Sequence, residues 1–124
     1  MDTATQPGGQ LTFEDKVIAK IARLNVQDIP GLLEMDGNVV DSLTETITQD
    51  ERVTKGIKVN VGDKQVALDL AVVLKYGTDA RQFYTEACTR ITAALEQMTG
   101  LKLVALNLNV SDIMTEREWR QSQN

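Results

Sequence analysis

Few residues in this chain could carry covalent or acid–base chemistry. The single cysteine, Cys88, stands four residues from Tyr84 and three from Ile91 on an apolar helical stripe, and the chain has no histidine to take its proton. A small buried hydrophobe explains Cys88 better than a nucleophile does. The missing histidine also removes the commonest metal ligand. Glu34, Asp36, Asp41, Asp50 and Glu51 fall in turn-like stretches without the D-x-[DN]-x-[DN]-G spacing of a calcium loop, so they read as solvated charge. Asp69, between Ala67 and Ala71 on a strand pattern, is within cross-strand reach of Lys58 or Lys102, which is a structural role. No second carboxylate is placed for acid–base work, and neither G-x-x-x-x-G-K-[ST] nor G-x-G-x-x-G occurs. The sequence therefore assigns no catalytic residue, no metal ligand and no cofactor-binding residue.

Recognition chemistry is better represented. Trp119, the only tryptophan, is flanked by Arg117 and Arg120 near the carboxyl end. Trp and Arg are the residue types most enriched where partners bind, so these three form a candidate partner-binding set. The competing reading is that Ile113, Met114 and Trp119 fold back over the domain's own sheet. Nucleic acid is a poor partner: 13 Lys and Arg against 18 Asp and Glu give a net charge of −5, which repels phosphate backbones. A small α+β nucleic-acid-binding module remains the alternative on architecture alone, without the G-x-x-G loop of a KH module or the aromatic pairs of an RRM sheet.

The elements that must position these residues follow from the pattern. At 124 residues, 42% hydrophobic and 25% charged, the chain suits one globular domain. Residues 1–10, polar and rich in glycine, are expected to be a flexible lead-in, residues 11–113 the domain, and residues 114–124 a short charged tail. A capping box of Thr12 and Asp15 predicts a helix over 13–25. Pro30-Gly31 then punctuates the chain before a short strand over 32–35. Val39, Val40, Leu43 and Ile47 repeat at helical spacing within 38–55, although Thr44, Thr46 and Thr48 oppose a helix there.

Period two takes over at Ile57, Val59 and Val61, turns at Gly62-Asp63-Lys64, and resumes through Val66, Leu68, Leu70, Val72 and Leu74, which predicts a hairpin. Ala80, Phe83, Tyr84, Ala87, Cys88, Ile91, Ala94, Leu95 and Met98 then predict a helix over 79–99, capped by Thr78 and stopped by Gly100. Alternation of Val104, Leu106, Leu108 and Val110 predicts a last strand over 101–110, followed by a second capping box at Thr115 and Glu118. The sum is an α+β fold: a three- to four-stranded mixed sheet with two main helices packed on one face, its last two strands joined by a helical crossover.

Three stretches carry a resemblance. They are Glu14-Asp15-Lys16-Val17-Ile18-Ala19-Lys20-Ile21-Ala22, Pro30-Gly31-Leu32, and Lys55-Gly56-Ile57-Lys58-Val59-Asn60-Val61. With Tyr76-Gly77, Met98-Thr99-Gly100-Leu101 and the Val110-Ser111-Asp112-Ile113 ending, they resemble the alkaline shock protein family of bacterial envelope-stress proteins over residues 10–113. The resemblance implies a cytosolic, non-enzymatic protein of mainly Gram-positive bacteria. It further implies self-association and attachment near the membrane through an anchored partner of the same family. That family offers no catalytic residues to carry over. Direct membrane insertion is not expected, because no apolar run approaches the length of a bilayer span.

Overall fold

The computed structural model describes residues 7–35, 56–62 and 64–123. The helical spacing noted within 38–55 and the turn residue Asp63 lie outside the described residues. Helix α1 (Asp15–Val26) leads into β1 (Leu32–Met35), then β2 (Ile57–Val61), β3 (Gln65–Lys75), α2 (Ala80–Thr99), β4 (Lys102–Met114) and α3 (Glu116–Ser122). β3 organises the sheet. On one edge it pairs antiparallel with β1 and β2, which lie end to end: β1 meets Val72 to Leu74, and β2 meets Val66 to Leu70. On the other edge it runs parallel to β4 along its whole length, from Gln65↔Lys102 to Lys75↔Met114. The sheet is thus mixed and four-stranded, as the period-two stretches and the intervening helix predict.

Both long helices pack on one face. Ile18, Ile21, Ala22 and Val26 of α1 and Phe83, Ala87, Ile91 and Leu95 of α2 share a core with Val66, Leu68, Leu70, Val72 and Leu74 of β3. Gly31 and Gly100 are two of the places where the backbone calls for glycine. Gly31, at φ +106°, passes so close to Thr78 that a β-carbon would lie 2.5 Å from its Cγ2. Gly100, at φ 75°, ends α2 by donating its N–H to the Leu95 and Glu96 carbonyls.

Several boundaries differ from the sequence reading, each for a physical reason. α1 begins at Asp15 with Glu14 as its uncapped N-cap, so Thr12 lies outside the turn it was expected to cap. Phe13, one residue before that N-cap, instead packs against the core that holds Ile18, in the position of a hydrophobic staple. α2 is capped by Asp79, whose Oδ1 accepts from the N–H groups of Arg81 at 3.0 Å and Gln82 at 3.2 Å, and not by Thr78, which faces Gly31. The buried stripe of α2 is narrower than predicted, since Ala80, Tyr84 and Met98 are exposed and Cys88 is only half-buried.

β4 runs four residues past the expected end at Val110, because the pairing with β3 shifts twice. The first irregularity, where Leu103 and Ala105 face consecutive residues of β3, turns Val104 out to 51% exposure. The second, between Val110 and Asp112, resets the alternation that the sequence pattern loses there.

Candidate functional site

The sheet face turned away from α1 and α2 carries polar side chains from all four strands. Along β3 it carries Ala67, Asp69, Ala71, Val73 and Lys75; β2 adds Lys58 and Asn60, β1 adds Glu34, and β4 adds Ala105, Asn107, Asn109 and Asp112. Two environments divide this face. At the end near Lys75, Ala71 and Val73 are 2% and 3% exposed although neither belongs to the helix-side core.

The carboxyl-terminal segment returns to this end of the face. The capping box forms as predicted: Glu118 N–H donates to Thr115 Oγ1 at 3.1 Å, and Thr115 N–H donates to Glu118 Oε1 at 2.9 Å. The capped turn starts α3 directly after β4 and brings it back to the sheet. Trp119 Nε1 donates to Glu34 Oε1 at 3.2 Å, and Glu34 stands opposite Val73, so the half-buried indole lies over this part of the face. Glu116 pairs with Lys75 at 3.8 Å and with Arg120 at 3.2 Å. Of the three residues singled out from sequence, the structure sets Trp119 onto the sheet and leaves Arg117 and Arg120 on the exposed side of α3.

The other half of the face is open and polar. Asn107 Nδ2 donates to Asp69 Oδ1 at 2.8 Å across the parallel pair, in place of the lysine partner expected for Asp69. Lys58 does stand opposite Asp69 in register, whereas Lys102 pairs with Gln65 at the far end of the strand. Lys58, Asp69, Ala71, Asn107 and Asn109 border a shallow depression of about 260 Å³, its floor low because the alanines rise little above the backbone. A wider groove of about 640 Å³ runs along the end of the domain. There Pro30-Gly31 and Tyr76-Gly77, far apart in sequence, meet through the Lys75 N–H bond to the Gly31 carbonyl at 2.8 Å. The close Gly31 approach to Thr78 gives a local reason for glycine in one of these distinctive stretches.

One contact was not legible in the sequence. Tyr84, expected on the buried stripe, is 40% exposed and donates its hydroxyl to the Leu106 carbonyl of β4 at 2.9 Å. A hydrogen bond with the Cys88 thiol one turn along, with its electrostatic coupling and some desolvation, holds the Tyr84 phenol above the ordinary tyrosine pKa. Tyrosine at the border of an apolar stripe, where its ring can pack while its hydroxyl reaches out, is the signal that could have marked it.

Among the described residues no three His, Cys, Asp or Glu side chains are grouped so as to hold a metal ion. No helix among them is long and apolar enough to cross a membrane.

The chain is 35% identical over 111 residues to proteins named stress response regulator gls24 homolog from Streptococcus pyogenes, including serotype M1 and serotype M3 strains, covering 90% of this chain. It spans 62% of the length of those relatives. It is also 26% identical over 107 residues to the uncharacterized protein YloU of Bacillus subtilis, covering 85% of this chain and 88% of that one. No solved structure matches it. A family model matches residues 3–115, nearly the whole described fold, and on that match the chain belongs to the alkaline shock protein 23 family, whose description is a cell envelope-related function.

Proposed function

We propose that this chain is a non-enzymatic structural component of the cell-envelope stress response, which self-associates and is brought to the membrane by a protein partner. The observation that carries the reading is the family match over residues 3–115, with its cell envelope-related function. Relatives named as stress response regulators support the stress context. The surface fits a protein that works by contact: an open polar sheet half, a long edge strand, and side chains engaged in packing and capping. In this reading the chain resides in the cytoplasm, its anchor is a membrane-bound protein of the same family, and bare lipid is not a ligand. The net charge of −5 opposes direct attraction to anionic headgroups.

Two measurements test it. Sedimentation velocity across a concentration series is expected to show a rising weight-average mass. Flotation with liposomes containing anionic lipid, in the absence of other proteins, is expected to leave the chain at the bottom of the gradient. A monomer at every concentration would remove the scaffold role, and co-flotation with bare liposomes would remove the need for an anchor. Nucleic-acid binding, the alternative, would instead appear as retention on RNA or DNA that weakens with salt.

A further inference from the structure

β4 pairs with β3 along one edge only, and among the described residues no strand pairs its outer edge. In a parallel ladder, alternate residues direct both backbone groups to the same side. Lys102 donates its N–H to the Lys64 carbonyl at 3.0 Å, and the Met114 carbonyl accepts from Tyr76 N–H at 2.8 Å, so both ends of β4 face β3. The two irregularities reset the alternation between them. In the straight stretch they bound, Leu106, Leu108 and Val110 direct their backbone groups outward. The Tyr84 hydroxyl on the Leu106 carbonyl marks that outward side. A carbonyl has two lone pairs, so the Leu106 oxygen can still accept from another strand.

β4 has two charged residues, Lys102 and Asp112, and neither proline nor glycine. Both charges are exposed and lie on the same face, opposite Gln65 and Val73. They sit five residues to either side of Asn107. If two copies of β4 run antiparallel, outward residues must meet outward residues for the ladder to form. A two-fold axis at Asn107 meets that condition, setting Leu106 against Leu108 of the second copy, and it places Lys102 against Asp112 twice over. Registers centred on residue 106 or 108 set Lys102 against Val110 or Met114 and lose the charge match. Each interval from the centre to a charge holds one irregularity. The irregularities therefore oppose each other across the axis, and the register is kept.

We propose that β4 pairs antiparallel with β4 of a second copy of this chain about a two-fold axis at Asn107, joining two sheets into one, with Lys102 of each copy facing Asp112 of the other. The inference rests on the self-association reading and names its surface. A symmetric contact of this kind closes as a dimer, since each copy uses the same strand.

The test uses the full chain. Across the axis the two Asn107 Cα atoms would be about 4.5 Å apart, as in a non-hydrogen-bonded antiparallel pair, which is within the ~4.4–6.8 Å range of a disulfide. Asn107→Cys in a Cys88→Ala background is therefore expected to form a disulfide-linked dimer under mild oxidation. Asn109→Cys in the same background is expected not to, because residue 109 would face residue 105 and lie roughly 14 Å from its own copy. Lys102→Glu and Asp112→Lys are each expected to weaken association by about tenfold or more, and the double variant to restore it. Far-UV circular dichroism confirms that each variant is folded. Equal cross-linking at 107 and 109, or charge variants that leave the association constant unchanged, would overturn this register even though the parent chain associates. A parent chain that stays monomeric would overturn the self-association reading itself.

Discussion

Replacing Gly31 with alanine isolates the physics of the turn that joins two distant stretches of the chain. Gly31 has φ +106°, and its ideal β-carbon would lie 2.5 Å from Thr78 Cγ2 and 2.6 Å from Thr78 Oγ1. Two costs add. Holding a side-chain-bearing residue in a left-handed conformation costs ~1–2 kcal/mol, and overpacking against Thr78 adds ~1–3 kcal/mol, for an expected loss of about 2–5 kcal/mol. The costs separate in a double-mutant cycle. Thr78→Ser removes the nearer contact, leaves the backbone penalty in place, and frees the remaining hydroxyl to rotate away. Gly31→Ala should therefore be less destabilising on the serine background, with a coupling of ~1 kcal/mol. Urea denaturation of the parent, both single variants and the double variant gives the four free energies directly. A Gly31→Ala loss below ~0.5 kcal/mol, or a cycle additive within ~0.3 kcal/mol, would refute the reasoning.

Trp119→Ala removes the half-buried indole and its bond to Glu34, opposite Val73, and should cost about 1–2 kcal/mol through lost apolar burial. In the parent, the emission of this single tryptophan should red-shift at the same urea concentration at which the far-UV signal is lost, and a red-shifted native emission would separate the indole from the fold. In an alkaline titration followed by tyrosinate absorbance, one step should fall above the ordinary tyrosine pKa of 10.0 and vanish in Tyr84→Phe. Because the folded state favours the protonated phenol, this contribution to stability is complete below the ordinary value and is lost as pH rises through the raised one. A Tyr84→Phe titration identical to the parent's would refute the assignment.

Legibility from sequence followed the periodicities. Ile57 to Val61 and Val66 to Leu74 keep period two on either side of one turn, so the β2–β3 hairpin and its buried side are read directly, as are the crossover into β4 and the stop at Gly100. The sequence reading failed where one residue shifted a frame. Thr12 matched a capping box in type and spacing, but the helix turned out to start at Asp15, a choice settled by packing at Phe13 and Ile18. Val104 fitted the apolar alternation of β4, and only the pairing with β3 reveals the irregularity that turns it outward. On the contact surface, Trp119 stood out by type, yet its partner Glu34 lies 85 residues away, a separation no local pattern encodes. The sequence pattern offers Asp69 a lysine; Lys58 and Asn107 both stand opposite it in register, and it is the Asn107 amide that donates to its carboxylate.

The placement of β3 also governs the order in which the protein can be made. As the chain leaves the ribosome, β1, β2 and β3 are all available once Lys75 has emerged, and one edge of β3 can close. The other edge must wait for the whole of α2 and β4, through Met114. α2 can shield the apolar side of the nascent sheet, but a helix cannot satisfy the backbone groups of a strand edge. During that interval the most buried of the described strands exposes a complete unpaired edge. The translation time of the crossover thus defines the window in which nascent copies are most prone to join edge to edge, and in which a holding chaperone has most to protect.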